Sequence, residues 1–216
     1  SRFRNFTKDL PKCMIEFNGK PLLKYQIETL KNLNITDINL ICGYKSNKIF
    51  YKNLNKIKNP NFLCTNMVYT LFCAEKIMDG NDDLLITYGD IIYEKKIIEK
   101  LLTDNSPIVV TSHENWLEYW SIRMNDPLSD LETFKVDKDN NIIELGKTPK
   151  SYDEIEGQFL GIIKIRKDHV KIFKKAWEEI ISKNLNYNWN FKNMYMTDFL
   201  QYLITDGNKI TPSYIS

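Results

Sequence analysis

The chain has 216 residues, 43% hydrophobic and 27% charged, enough for one domain with a substantial core. Its 30 Lys and Arg against 28 Asp and Glu leave a net charge of +2, which gives no broad electrostatic case for nucleic acid or an anionic membrane surface. No apolar run approaches the ~20 residues of a membrane span.

Pro21 to Leu33 reads as a helix: Leu23, Ile27 and Leu30 share a face, Leu22 and Leu33 widen it, and Pro21 suits the first turn. Residues 37–43 read as a short, largely buried strand. Met67 to Met78 reads as a helix with Val68, Leu71, Phe72 and Ala74 apolar. Leu84 to Tyr88 is a buried strand that stops at Gly89-Asp90. Residues 97–102 are helical and 108–111 are another strand. This alternation predicts an α/β fold with a Rossmann-like, mainly parallel sheet flanked by helices. The region 116–165 differs. Residues 134–137 and 142–145 are two strands around Lys138-Asp139-Asn140-Asn141, a hairpin signal. A strand over 159–165 and helices over 168–182 and 197–204 follow. The expectation is a single domain with a small β-rich insertion.

Cysteines stand at 13, 42, 64 and 73. None of their spacings suits zinc, and three lie in apolar runs, so buried free thiols suited to a reducing cytoplasm are expected. Only two histidines occur, His113 and His169, in no triad or metal spacing.

The opening, from Ser1-Arg2 to Lys12-Cys13-Met14, carries Arg2, Arg4, Lys8 and Lys12 ahead of the first helix. It is either a solvated basic loop or a cradle for polyphosphate, since Arg and Lys neutralise phosphate oxygens. Asp90 lies where a buried strand ends, the edge at which α/β sheets bind ligands, and Gly89 lets a ligand approach the backbone. The plain alternative is a turn aspartate. Thr65 or Asn66 suits a helix N-cap.

Ser1-Arg2 through Pro11-Lys12, followed by Gly19-Lys20-Pro21-Leu22-Leu23, resembles the opening of the NTP-transferase family, in which a strand and a Gly-rich loop precede such a segment. The resemblance implies that Ser1, Arg2 and Lys12 contact the triphosphate, with Arg2 and Lys12 catalytic. It places Thr65, Asn66 and Gly89 at the nucleotide and makes Asp90 a Mg²⁺ ligand. It also implies one nucleotidyltransferase domain, with a nucleotide-binding half over about 1–112 and an acceptor-binding half over about 113–216. The family's first strand, most of its glycine loop and its C-terminal metal-binding segment are expected outside the sequence given. Asp198 is a further candidate acid, or simply an N-terminal helix residue.

The middle region is similar to the branch of the family that makes CDP-linked small molecules, whose acceptors include phosphoglutamine and phosphocholine. On that resemblance Trp116, Trp120, Arg123, Lys147, Glu156, Gln158, Tyr195 and Asp198 face the acceptor. Lys147 meets its phosphate, and the aromatics are either an acceptor wall or core. The partners implied are CTP and a small phosphorylated acceptor, with a homodimer left open. A sugar-1-phosphate nucleotidyltransferase and a non-catalytic nucleotide-binding homologue remain the alternatives. No G-x-G-x-x-G follows any strand, which argues against a dinucleotide-binding dehydrogenase.

Overall fold

Alternation along the strands decides how this protein is layered. The computed structural model describes residues 7–51, 54–182 and 191–215. Along them come β1 (Glu16–Phe17), β2 (Lys20–Pro21), α1 (Leu22–Lys31), β3 (Asn39–Cys42), β4 (Asn55–Lys58) and α2 (Met67–Phe72). Next are β5 (Leu84–Thr87), α3 (Lys95–Thr103), β6 (Ile108–His113), α4 (Trp116–Arg123), β7 (Phe134–Val136) and β8 (Ile142–Leu145). The last are β9 (Gln158–Ile165), α5 (Val170–Ser182), α6 (Met196–Thr205) and β10 (Ile210–Ile215).

On β6, Ile108 and Val110 turn into one cluster while Val109 turns into another on the opposite face, the period-two consequence of the pleat. β9 repeats the pattern, with Ile163 and Ile165 on one face and Ile162 on the other. Helices therefore cover both faces. α1 and α3 supply Leu30, Ile98 and Leu101 to the smaller cluster, while α2, α5 and α6 build the larger one. On α5, Val170, Phe173, Ala176, Trp177 and Ile180 are buried at helical spacing. Phe72 stacks on Trp177 at 4.8 Å, and Phe199 meets Phe72 edge-on at 5.4 Å; each such pair adds about 0.5–1.5 kcal/mol beyond area burial.

The main sheet has the order β10-β6-β9-β5. β10 is parallel to β6, and β9 runs antiparallel to both β6 and β5. Three of the four strands thus point the same way, and the ends of β5, β6 and β10 share one edge. Lys164 is the charged member of β9, and a buried charge must be paired. Its ammonium reaches the Asp104 carbonyl at 2.6 Å and Asp83 at 3.2 Å. Gly161 interrupts β9 with φ +83°, and a Cβ there would sit 2.6 Å from the Tyr88 ring, so only glycine meets both conditions. β3 and β4 form a separate parallel pair and β7 and β8 an antiparallel hairpin. The hairpin is tied to α6 by the Leu145 amide, which donates to Gln201 Oε1 at 2.7 Å.

The helix expected over 67–78 stops at Phe72. The Cys73 and Ala74 amides bond back three residues, to Thr70 and Leu71, a tightening that ends the helix, and one 3₁₀ turn, Glu75–Ile77, follows. Segment 116–123, read above only as an aromatic run, is helix α4. No helix among the described residues is long and apolar enough to cross a membrane.

Candidate nucleotide and acceptor site

β5 ends at Thr87, and Gly89-Asp90 form the turn beyond it. That turn stands at the carboxyl edge of the sheet, where the sequence expects it. Gln26, buried on α1, donates from Nε2 to the carbonyls of Tyr88 (2.9 Å) and Ile91 (2.7 Å). Facing the turn is a 3₁₀ segment, Lys12–Met14. Lys12 Nζ lies 3.0 Å from Asp90 Oδ2, both side chains part-exposed.

A cleft of about 520 Å³ opens here, lined by Thr7, Lys12, Cys13, Gly43, Tyr44 and Gly89 among others. The Tyr44 hydroxyl donates to the Lys8 carbonyl at 2.6 Å and so pins the N-terminal segment beside the cleft. Burial pushes the Cys13 thiol up to about 11, so it is a protonated, apolar part of the wall. Cys42 is buried as expected, but Cys64 is exposed and Cys73 half-buried; Cys64 stands in the turns between β4 and α2, away from any core.

From the cleft the wall continues through Asn59. Its amide nitrogen donates to Thr65 Oγ1 and Thr70 Oγ1, both at 2.9 Å, and its backbone N–H to the Cys42 carbonyl. Asn66 caps α2, its Oδ1 accepting from the Met67 amide, and its Nδ2 donates to the Asn193 carbonyl at 3.2 Å. Asn66 therefore knits α2 to segment 191–193, while Thr65 is tied to Asn59 and Asn61 in the turns before it. Ser1 and Arg2 lie outside the described residues.

Of the acceptor candidates, Trp116, Trp120, Gln158 and the Lys147 backbone meet three successive residues, 131–133. Leu131 packs with Trp116 and Ile155, and Trp120 leans on that cluster. Glu132 is clamped by Gln158, whose Nε2 donates to the Glu132 carbonyl at 2.6 Å, and Thr197 Oγ1 donates to Glu132 Oε1 at 3.4 Å. Thr133 exchanges hydrogen bonds with the Lys147 backbone. Asp198 accepts from the Tyr195 amide at 3.0 Å and caps α6. Glu156 accepts from the Val136 amide at 2.6 Å, and the Lys147 ammonium pairs with Glu144. Arg123 lies over Tyr119 at 5.2 Å and Trp120 at 5.3 Å. Trp116 and Gln158 are buried, so packing and the Glu132 backbone already occupy much of what they offer.

Glu132 was not singled out from sequence, where it is one acid among 28. Burial raises its pKa, and the nearby charges of Asp198 and Asp130 raise it further. No cation lies within ion-pair distance of it among the described residues. Tyr88 joins the two regions: burial raises its pKa first, then the charges of Glu132 and Asp90. His113 stacks on Tyr119 at 5.2 Å, and burial lowers its pKa. His169 pairs with Asp168.

No group of three or more His, Cys, Asp or Glu side chains forms a metal cage among the described residues. One carboxylate beside an open cleft suits Mg²⁺, which takes one or two carboxylates and fills its shell from phosphates and water. It does not suit zinc. Asp90 thus fits a magnesium ion carried in with a nucleotide.

Comparison with known proteins places the chain in a family. The MobA-like NTP transferase domain model matches residues 1–149. The CTP:phosphoglutamine cytidylyltransferase of Campylobacter jejuni is 38% identical over 219 residues, covering 96% of this chain and 85% of that protein. The choline-phosphate cytidylyltransferase of Streptococcus pneumoniae is 32% identical over 80 residues, 35% of each chain. The solved CTP:phosphocholine cytidylyltransferase of Streptococcus pneumoniae superposes with a TM-score of 0.69 at 16% identity, covering 100% of this chain and 85% of that one. The inositol-1-phosphate CTP transferase of T. maritima gives 0.67 at 15%, covering 98% and 79%. With the family model matched over more than half its length and a relative 38% identical over nearly all of it, the chain belongs to the MobA-like NTP transferase family.

Proposed function

We propose that this chain is a cytidylyltransferase that transfers CMP from CTP to a small phosphorylated acceptor and releases pyrophosphate. The observation that carries it is the Lys12–Asp90 pair beside the cleft: a cation for phosphate oxygens and an acid for Mg²⁺, at one sheet edge. An acceptor phosphate oxygen forms a bond to the α-phosphorus of CTP. The α–β phosphoanhydride bond breaks, and its electron pair leaves on pyrophosphate. The phosphoryl group of a phosphate monoester or an N-phosphoryl compound is already an anion at neutral pH, so no base is needed, and neither histidine is asked to act. Catalysis is positioning and charge neutralisation.

In this reading Lys12, with Ser1 and Arg2 of the opening segment, holds the triphosphate and meets charge developing at the α-phosphate. Thr65, Asn66 and Gly89 border the nucleotide. Asp90 would hold Mg²⁺, which when bound supplies neutralisation of phosphate charge. Lys147 leaves Glu144 for the acceptor phosphate, while Trp120, Arg123, Glu156, Tyr195 and Asp198 surround the remainder.

Phosphoglutamine is the favoured acceptor and a phosphocholine-like one the next. Both carry a cationic nitrogen, and Glu132 is a half-buried acid with no cation beside it among the described residues. A pyrophosphate-release screen of CTP, UTP, dTTP and GTP against phosphoglutamine, phosphocholine and glucose-1-phosphate tests the proposal. Turnover only with the sugar phosphate and another nucleotide would replace it. Nucleotide binding without release from any acceptor would point to a non-catalytic homologue.

A further inference from the structure

Gln26 is a polar side chain on the buried face of α1, beside Leu23, Ile27 and Leu30, and is only 4% exposed. A buried amide persists only where its hydrogen bonds are met. Here Nε2 donates to the carbonyls of Tyr88 and Ile91, and Oε1 accepts from Thr87 Oγ1 at 3.1 Å. The partners lie on both sides of Asp90 in the chain. Among the described residues, no backbone–backbone hydrogen bond holds residues 89–93, and the nearest anchor is the Tyr88 amide on the Gly161 carbonyl. Ile91 and Tyr93 pack on the smaller cluster, and the turn's carbonyls are held from beneath by one side chain on a rigid helix.

We infer that Gln26 is a positioning residue that fixes the 88–91 turn so that Asp90 faces Lys12 across the cleft. This rests on the reading of Asp90 as the acid that receives Mg²⁺. An apolar side chain of equal length fills the same space but leaves two part-buried carbonyls without donors. The turn then regains its hydrogen bonds by opening toward water, which carries Asp90 with it. Misplacement by about 1 Å at a reacting centre costs about a hundredfold in rate.

The test compares full-length wild type with Gln26→Met, Thr87→Val and, as a stability reference on another helix, Leu203→Ala. Hydrogen exchange of the Tyr88 amide, which is bonded to the Gly161 carbonyl, is read without metal or nucleotide, alongside melting temperature and the Mg²⁺ concentration for half-maximal pyrophosphate release. Gln26→Met is expected to speed exchange of the Tyr88 amide about tenfold and raise the Mg²⁺ requirement at least fivefold, with Thr87→Val showing a smaller change of the same kind. Leu203→Ala should lower the melting temperature and alter neither. Gln26→Met that melts lower but keeps wild-type exchange and Mg²⁺ requirement overturns the inference. Should that variant not fold, Thr87→Val with both quantities unchanged does the same. A wild type that releases no pyrophosphate from any acceptor removes the proposed reaction, and faster exchange in Gln26→Met would still establish the tether.

Discussion

Lys12 Nζ and Asp90 Oδ2 meet at 3.0 Å across 78 residues of sequence, between a 3₁₀ segment and the turn after β5. Both side chains are part-exposed, 47% and 34%, so the pair adds little stability, about 0–1 kcal/mol. Its value is placement, since each charge is free to exchange its partner for a phosphate or a metal.

Asp90→Asn keeps the shape of the turn and removes the charge. Turnover is expected to fall by about 10²–10³-fold, with the melting temperature within about 2 °C of wild type. Wild-type pyrophosphate release from the purified variant would remove Asp90 from the mechanism.

Glu132 gives a pH signature. Burial, then the charges of Asp198 and Asp130, raise its pKa, so the folded state holds this proton more tightly than the unfolded chain. That contribution is full below the ordinary Glu range and is lost as pH rises through the raised value, which leaves the ionised acid as a cost at neutral pH. Glu132→Gln is expected to melt roughly 1–3 °C higher at pH 7, with the gain shrinking toward pH 4. It should also raise KM for an ammonium-bearing acceptor about tenfold, equivalent to about 1.4 kcal/mol. Calorimetry at the two pH values and acceptor titrations check both halves; a lower melting temperature at pH 7 with unchanged KM would contradict them.

Gly43 lines the cleft with Phe62 behind it. A Cβ at 43 would stand 2.3 Å from Phe62 Cβ, an atom too close to its own backbone to swing aside. Gly43→Ala is expected to cost about 1–3 kcal/mol by overpacking and to weaken nucleotide binding through the shifted wall. Urea unfolding and nucleotide titration would show it; an unchanged unfolding midpoint would contradict the steric argument.

On α4 the first and last residues should separate. Trp116 is buried against Leu131 and Ile155, and Trp116→Ala is expected to cost about 3 kcal/mol. Arg123 is exposed and stacked on Tyr119 and Trp120; Arg123→Ala should cost about 0.5–1 kcal/mol yet change acceptor KM more than Trp116→Phe does. Equal stability losses in Trp116→Ala and Arg123→Ala would refute the division.

Elements with a clear period were legible. The α1 stripe, the α5 stripe and the apolar β5 and β6 could be read because burial on a helix or strand face imposes that period directly. β10 escaped notice because Pro212 interrupts it, which the edge of a sheet tolerates. β4 escaped because Ile57 is its one apolar residue. The β1–β2 hairpin carried an Asn18-Gly19 signal, and both residues do adopt positive φ.

For the site, local sequence sufficed to mark Asp90, since a carboxylate after Gly at the end of an apolar run is a pattern within a few residues. The basic segment around Lys12 was equally visible, as was the N-cap at Asn66. Their meeting was implied only by the family resemblance, and the Glu132 clamp and the three hydrogen bonds of Gln26 were not visible at all. Those depend on side chains 26 to 78 positions apart in sequence. Nothing local distinguishes Gln26 from any other glutamine until packing removes water from around it and leaves its amide with fixed partners. The chain's own chemistry thus set which charges and faces were available. Only the tertiary fold, by burying some and bringing others to one sheet edge, decided which of them act together.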